Sequence, residues 1–266
     1  MRIGGIEVIV DYSWLVILAV FATVGGYFPQ AHPNYPASQY WTMGAAAALL
    51  FFLSILIHEL AHSYVAIKHG IKVTSIRLLI FGGLVQATSE PKTGKHEFLI
   101  ALSGPAVSMA LGLFFLVVYA SFYMTNPTHP AARVAEFLAW ANILLAGLNL
   151  IPGFPFDGGR ILRAFLWDRW DDMARATKIV SQIGNGCALF LIIFGILQFL
   201  ATQSLVLGMM FVFLGLFMRY SAAGSYQTVM LRRTLTGVQV KQVMTESVVS
   251  VDWLASVSDF VQDYIY

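Results

Sequence analysis

Charge is what this 266-residue chain has least of: Asp, Glu, Lys and Arg make up 11% of it, against 58% apolar residues. A soluble globular domain carries roughly 25% charged residues, and a chain with so few could not cover its own surface in water. Cysteine is almost absent. The single Cys187 sits inside an apolar stretch, which excludes an intramolecular disulfide framework and a cysteine-based metal site. The net charge is +2 with its basic residues scattered, so there is no electrostatic footprint for nucleic acid. The N-terminus lacks the basic region of a cleaved signal peptide; Glu7 and Asp11 precede its first apolar run, which reads as an uncleaved span.

What the chain has instead is six apolar runs, over about residues 13–28, 43–68, 98–123, 132–152, 178–200 and 203–222. Each is close to the roughly 20 residues that cross a bilayer as a helix, the form that satisfies its own backbone in lipid. Fifteen of the 16 Lys and Arg precede the first run or follow the second, fourth and sixth, leaving only Arg133 opposite. Positive residues stay inside, so both termini are expected to be cytoplasmic. The proline-rich stretch from Pro29 to Tyr40 reads as an external loop with His32 solvated in it. Residues 71–90, rich in β-branched side chains, read as a short membrane-associated hairpin breaking at Gly82 and Gly83.

The second run contains His58-Glu59-Leu60-Ala61-His62. Histidines at i and i+4 project from one helical face, so both imidazoles can reach one metal ion. Glu59 stands between them, placed to take a proton from a water that the metal polarises. Chance would supply only about 0.003 copies of this pattern in such a chain. Three ionisable residues in five positions of one span are also costly, at least about 2.5 kcal/mol for a charge at the bilayer centre. His62 lies roughly 10 Å from the end of the run at Lys68, so the motif is submerged nearer the inside.

Two histidines leave zinc one protein ligand short. Glu136 begins the fourth run on the far side. Asp157 follows that run in NLIPGFPFDGGR, residues 149–160, at a matching depth, where two prolines and three glycines break the helix. Asp157 read alone suits a helix cap as well as a ligand; the missing ligand at the same depth favours the second.

These motifs resemble the site-2 proteases, a family of zinc intramembrane metalloproteases. HELAHSYVA, residues 58–66, and NLIPGFPFDGGR match the family's two motifs in order, spacing and placement. The resemblance implies zinc on His58, His62 and Asp157, with Glu59 as the general base. It also implies that Asn149 and Pro155 belong to a loop holding the substrate backbone. The strands within 73–87 would then hold an unwound substrate by β-augmentation, with Gly82 and Gly83 allowing close approach. The substrate expected is another transmembrane protein, reached within membrane lipid. The branch it looks most like is prokaryotic, with six spans in the cell membrane and C-terminal CBS (cystathionine-β-synthase-type) modules.

The fold expected is therefore an all-α polytopic membrane protein of about six transmembrane helices with a short β-hairpin, followed by the start of a soluble α/β CBS module. Residues 1–225 form the transmembrane core, 226–236 a linker and 237–266 an incomplete CBS-like segment whose Val243-Met244-Thr245 carries the likeness. An adenine nucleotide would need a complete pair of such modules. A transporter or a non-catalytic sensor with a CBS module is the competing function, though no internal repeat supports a transporter.

Overall fold

The computed structural model describes residues 2–3, 6–11, 27–33, 35–79, 82–244 and 256–264. Of the first apolar run only residues 27 and 28 fall within them; the span expected over 13–26 lies outside the described residues. Contacts divide the chain into Met1–Gln227 and Thr228–Tyr266.

Among the described residues, five helices are long and apolar enough to cross a membrane: α2 Ala37–Lys68, α3 Gly94–Thr125, α4 Pro130–Asn149, α6 Met173–Thr202 and α7 Leu205–Leu235. They contain the second to sixth apolar runs, with the fourth ending on Asn149. Shorter helices are α1 Tyr27–Ala31, α5 Asp157–Trp170, and, in the second unit, α8 Val240–Val243 and α9 Val257–Tyr264. Their ends follow local chemistry. Thr93 Oγ1 accepts the His96 N–H to start α3, His129 Nδ1 accepts the Ala131 N–H ahead of Pro130 in α4, and Asp172 Oδ1 accepts the Arg175 N–H at α6. After α2 the backbone turns at Gly70, whose φ of +79° favours glycine.

The expected hairpin is present as β3 Val73–Leu79 and β4 Gly82–Ala87, paired antiparallel. Its turn differs from expectation. Leu79 pairs with Gly82 and Leu78 with Gly83, so the glycines open β4 and the break precedes them. Two further strands were not expected: β1 Arg2–Ile3 and β2 Ile6–Val10 extend the sheet in the order β1-β2-β3-β4, with β2 parallel to β3. Val8, Val73 and Ile76 of this sheet pack against Leu56 and Ala66 of α2 and Ile100 of α3.

Helix α3 packs against α2, α4 and α5 and so forms the centre of the bundle. Of the most apolar part of each span only 17% to 33% is buried, which leaves most of its surface for lipid. Leu113, Phe114, Val117, Phe190 and Leu197 accordingly stand exposed on outer faces. At the other end from the sheet, Phe28 of α1 is fully buried against Met43, Ala47, Val134 and Leu138. His32, which follows α1, is half-buried rather than fully solvated as expected. His32 Nε2 lies 3.8 Å from a Glu136 oxygen to which Arg133 also donates at 2.9 Å.

Candidate metal centre

His58 and His62 lie one turn apart on α2 and are 3% and 4% exposed, within reach of the small-residue face of α3. His62 Nδ1–H donates to the Ile100 carbonyl at 2.7 Å; a carbonyl can only accept, so the lone pair of this ring is on Nε2. His58 Nδ1 is 2.8 Å from Ser108 Oγ, and donation in that direction leaves its Nε2 free in the same way. Such outer hydrogen bonds fix the orientation of metal-binding imidazoles and raise their basicity.

The two free Nε2 atoms are 3.2 Å apart. Asp157 Oδ2 completes a triangle with them, 3.3 Å from His58 and 3.1 Å from His62. Three acceptor atoms thus converge in a buried place, and a cation relieves their mutual repulsion. A tetrahedral ion with bonds of about 2.0–2.1 Å separates its ligands by about 3.3 Å, so these edges fit zinc. Room for it comes from Gly104 of α3. A Cβ there would stand 2.3 Å from His62 Nε2 and 2.6 Å from His58 Nε2, too close to both metal-facing nitrogens. Among the described residues this trio is the group of three that could hold a metal ion.

Asp157 reaches the histidines because the chain breaks after α4. It is the first residue of α5 rather than its cap, which is Phe156, so its carboxylate is free to face the imidazoles. The strap before it folds back tightly: a Cβ on Gly158 would stand 2.3 Å from the Leu150 carbonyl oxygen. Glu59 is buried, 7% exposed, on the position of α2 next to His58. Of the remaining expected residues, Asn149 Nδ2 donates to the Leu145 carbonyl of its own helix at 3.0 Å and Pro155 is exposed on the strap. Gly82 and Gly83 belong to β4, the last strand of the sheet.

Residues from α3 complete the centre, and none stood out in the sequence. Ser108, Gly104 and the Ile100 carbonyl come from a helix some 40 to 50 positions beyond the histidines. Glu97, one turn earlier, is fully buried and bound by Arg163 of α5, Nε lying 3.0 and 3.2 Å from its two oxygens and Nη2 also touching Oε1. An acidic residue at the start of an apolar run was the one available signal for it.

The family model described as peptidase family M50 matches residues 46–130 and 124–193. The protein Rip3 of Mycobacterium tuberculosis is 37% identical over 265 residues, 99% of this chain and 67% of that protein. A zinc metalloprotease of Methanocaldococcus jannaschii, MJ0392, is 34% identical over 81% of this chain and 60% of its own length. This chain thus spans about two thirds of the length of these relatives. Among solved structures, the site-2 protease from Methanocaldococcus jannaschii superposes with a TM-score of 0.58 at 29% identity, covering 94% of this chain and 98% of that one. With the bundle, the buried trio and these matches in agreement, the chain belongs to peptidase family M50, the site-2 proteases.

Proposed function

We propose that this intramembrane zinc metalloprotease hydrolyses a peptide bond within or near a transmembrane segment of another protein, with His58, His62 and Asp157 holding zinc and Glu59 as general base. The observation that carries this reading is the triangle of acceptor atoms, 3.1–3.3 Å on a side, buried in an apolar span beside a carboxylate. Zinc held there supplies Lewis-acid polarisation of a carbonyl and makes water a better nucleophile at neutral pH. Ser108 and the Ile100 carbonyl keep both imidazoles turned toward it. The Glu59 carboxylate takes the proton that water gives up and returns it to the nitrogen of the departing chain, a role of about 10²–10⁴ in rate.

A helical substrate hides its carbonyls in i to i+4 bonds and must unwind before it is cut. β4 is the strand that would receive it: it ends the described sheet, and Gly82 and Gly83 bring no side chain between two backbones. Asn149, the last residue of α4, and Pro155, on the strap leading to Asp157, are assigned to the substrate backbone as well. The distribution of basic residues supports cytoplasmic termini, with the centre nearer that face. Residues 237–266 are assigned to the beginning of a CBS-type module, and α9 starts just after Ser256 as such a helix would. An adenine nucleotide needs a complete pair, so ATP titrated onto this chain is expected to give no binding heat.

The test is cleavage of a single-span substrate in detergent by the parent and by Glu59→Gln, with zinc measured in both. Cutting by the parent alone, with zinc retained in both, is expected. Zinc absent from both, even after reconstitution, would return the transporter or sensor reading to the front.

A further inference from the structure

The catalytic reading leaves unused the most deeply buried charge in the bundle. Glu97 is 0% exposed, and a carboxylate in that position is tolerated only with a cation against it. Arg163 supplies that cation through Nε and Nη2, and its guanidinium also stacks 5.3 Å from the Phe154 ring of the strap. A second cation is nevertheless close. Arg160, one turn nearer the start of α5, has Nε 4.0 Å from Glu97 Oε1 and Nη1 3.9 Å from Asp157 Oδ1. It lies between two carboxylates at distances longer than a hydrogen bond to either. The four groups form a chain of alternating sign from the interior to the metal centre: Arg163, Glu97, Arg160, Asp157.

The position of Arg160 matters because a guanidinium and a carboxylate prefer a bidentate fork, which engages both oxygens. A fork between Arg160 and Asp157 would take the oxygen that now faces the two Nε2 atoms. We propose that Glu97, held by Arg163, is a positioning residue that retains Arg160 short of Asp157, so that Oδ1 is steadied while Oδ2 stays available to the metal. This inference rests on the metal-site reading above. It assigns Glu97 a task that no spacing motif reveals, because its partners come from a helix 60 or more positions away.

The experiment is a zinc titration of the detergent-solubilised chain against a fluorescent chelator, with metal-free protein at the start. For Glu97→Gln the dissociation constant is expected to rise by about tenfold or more, the scale of lost outer-shell support. Glu97→Gln combined with Arg160→Gln is expected to recover most of that loss, because the competing guanidinium is gone. Zinc-saturated Glu97→Gln should keep its KM. Should Glu97→Gln fail to fold with Arg163 left uncompensated, the neutral pair Glu97→Gln/Arg163→Gln replaces it, compared with and without Arg160→Gln. Unchanged zinc affinity in the first variant overturns the proposal. So does a loss that Arg160→Gln does not relieve, which would make Glu97 a clamp between α3 and α5 and nothing more. A parent that binds no zinc, or binds it undiminished after His58→Ala, overturns the metal-site reading and this inference with it.

Discussion

At Gly104 the imidazole Nε2 atoms of His62 and His58 lie within 2.3 and 2.6 Å of where a Cβ would stand. Even the smallest side chain there would collide with both Nε2 atoms, so Gly104→Ala is expected to abolish zinc binding in a chelator competition titration. Ser108 acts more gently. Without its hydroxyl, His58 keeps its place on α2 but loses the bond that fixes its ring, and Ser108→Ala should weaken zinc by about 10- to 100-fold. The sequence makes His58, Glu59 and His62 legible because their spacing is a property of one helix. Asp157 is legible only by depth, since it arrives from 95 positions beyond His62. Ser108, Gly104 and Ile100 carry no such mark: their role comes from the face of α3 that meets α2, and an apolar run of near-uniform character does not say which face that is.

At the scale of elements, the docking of α1 introduces a pH dependence. His32 has its pKa lowered from 6.5, first by burial and then by the Arg133 cation, with Glu136 opposing. The unfolded chain therefore binds the proton more readily than the folded one, and stability falls as pH drops through about 6.5. The parent should lose more thermal stability than His32→Gln between about pH 7.5 and about pH 5, by a modest amount since this side chain is only partly buried. Equal losses would remove His32 from the cause. The helices were readable from run length, but their starts were not: α3, α4 and α6 begin two to five residues ahead of the apolar runs, at caps that hydropathy does not mark. The first two strands carry only a faint mark, the alternation of Ile6, Val8 and Val10. A strand that short acquires meaning only from its neighbour, here β3, more than 60 positions later. The hairpin turn shifted for a related reason: glycine pairs mark turns in general, but Gly82 and Gly83 are used inside β4.

For the whole molecule, sparse charge and five long apolar helices make it an integral membrane protein. The orientation proposed from the basic residues, with cytoplasmic termini, can be tested directly. In a Cys187→Ala background, a membrane-impermeant thiol reagent should label Thr128→Cys from outside intact cells and Lys92→Cys only from the cytoplasmic face. The opposite pattern would invert the topology and the direction from which water reaches the centre. Composition made the class of fold legible; which helices touch was not, because contacts between spans depend on faces that hydropathy does not distinguish.

The most direct measurement is the zinc K-edge X-ray absorption spectrum of the zinc-loaded chain, beside that of Asp157→Ala. The account predicts a shell of nitrogen and oxygen at about 2.0–2.1 Å containing two imidazoles, with no sulfur, and a lost or altered oxygen shell in the variant. A sulfur shell at about 2.3 Å, or a spectrum that Asp157→Ala leaves unchanged, would contradict it.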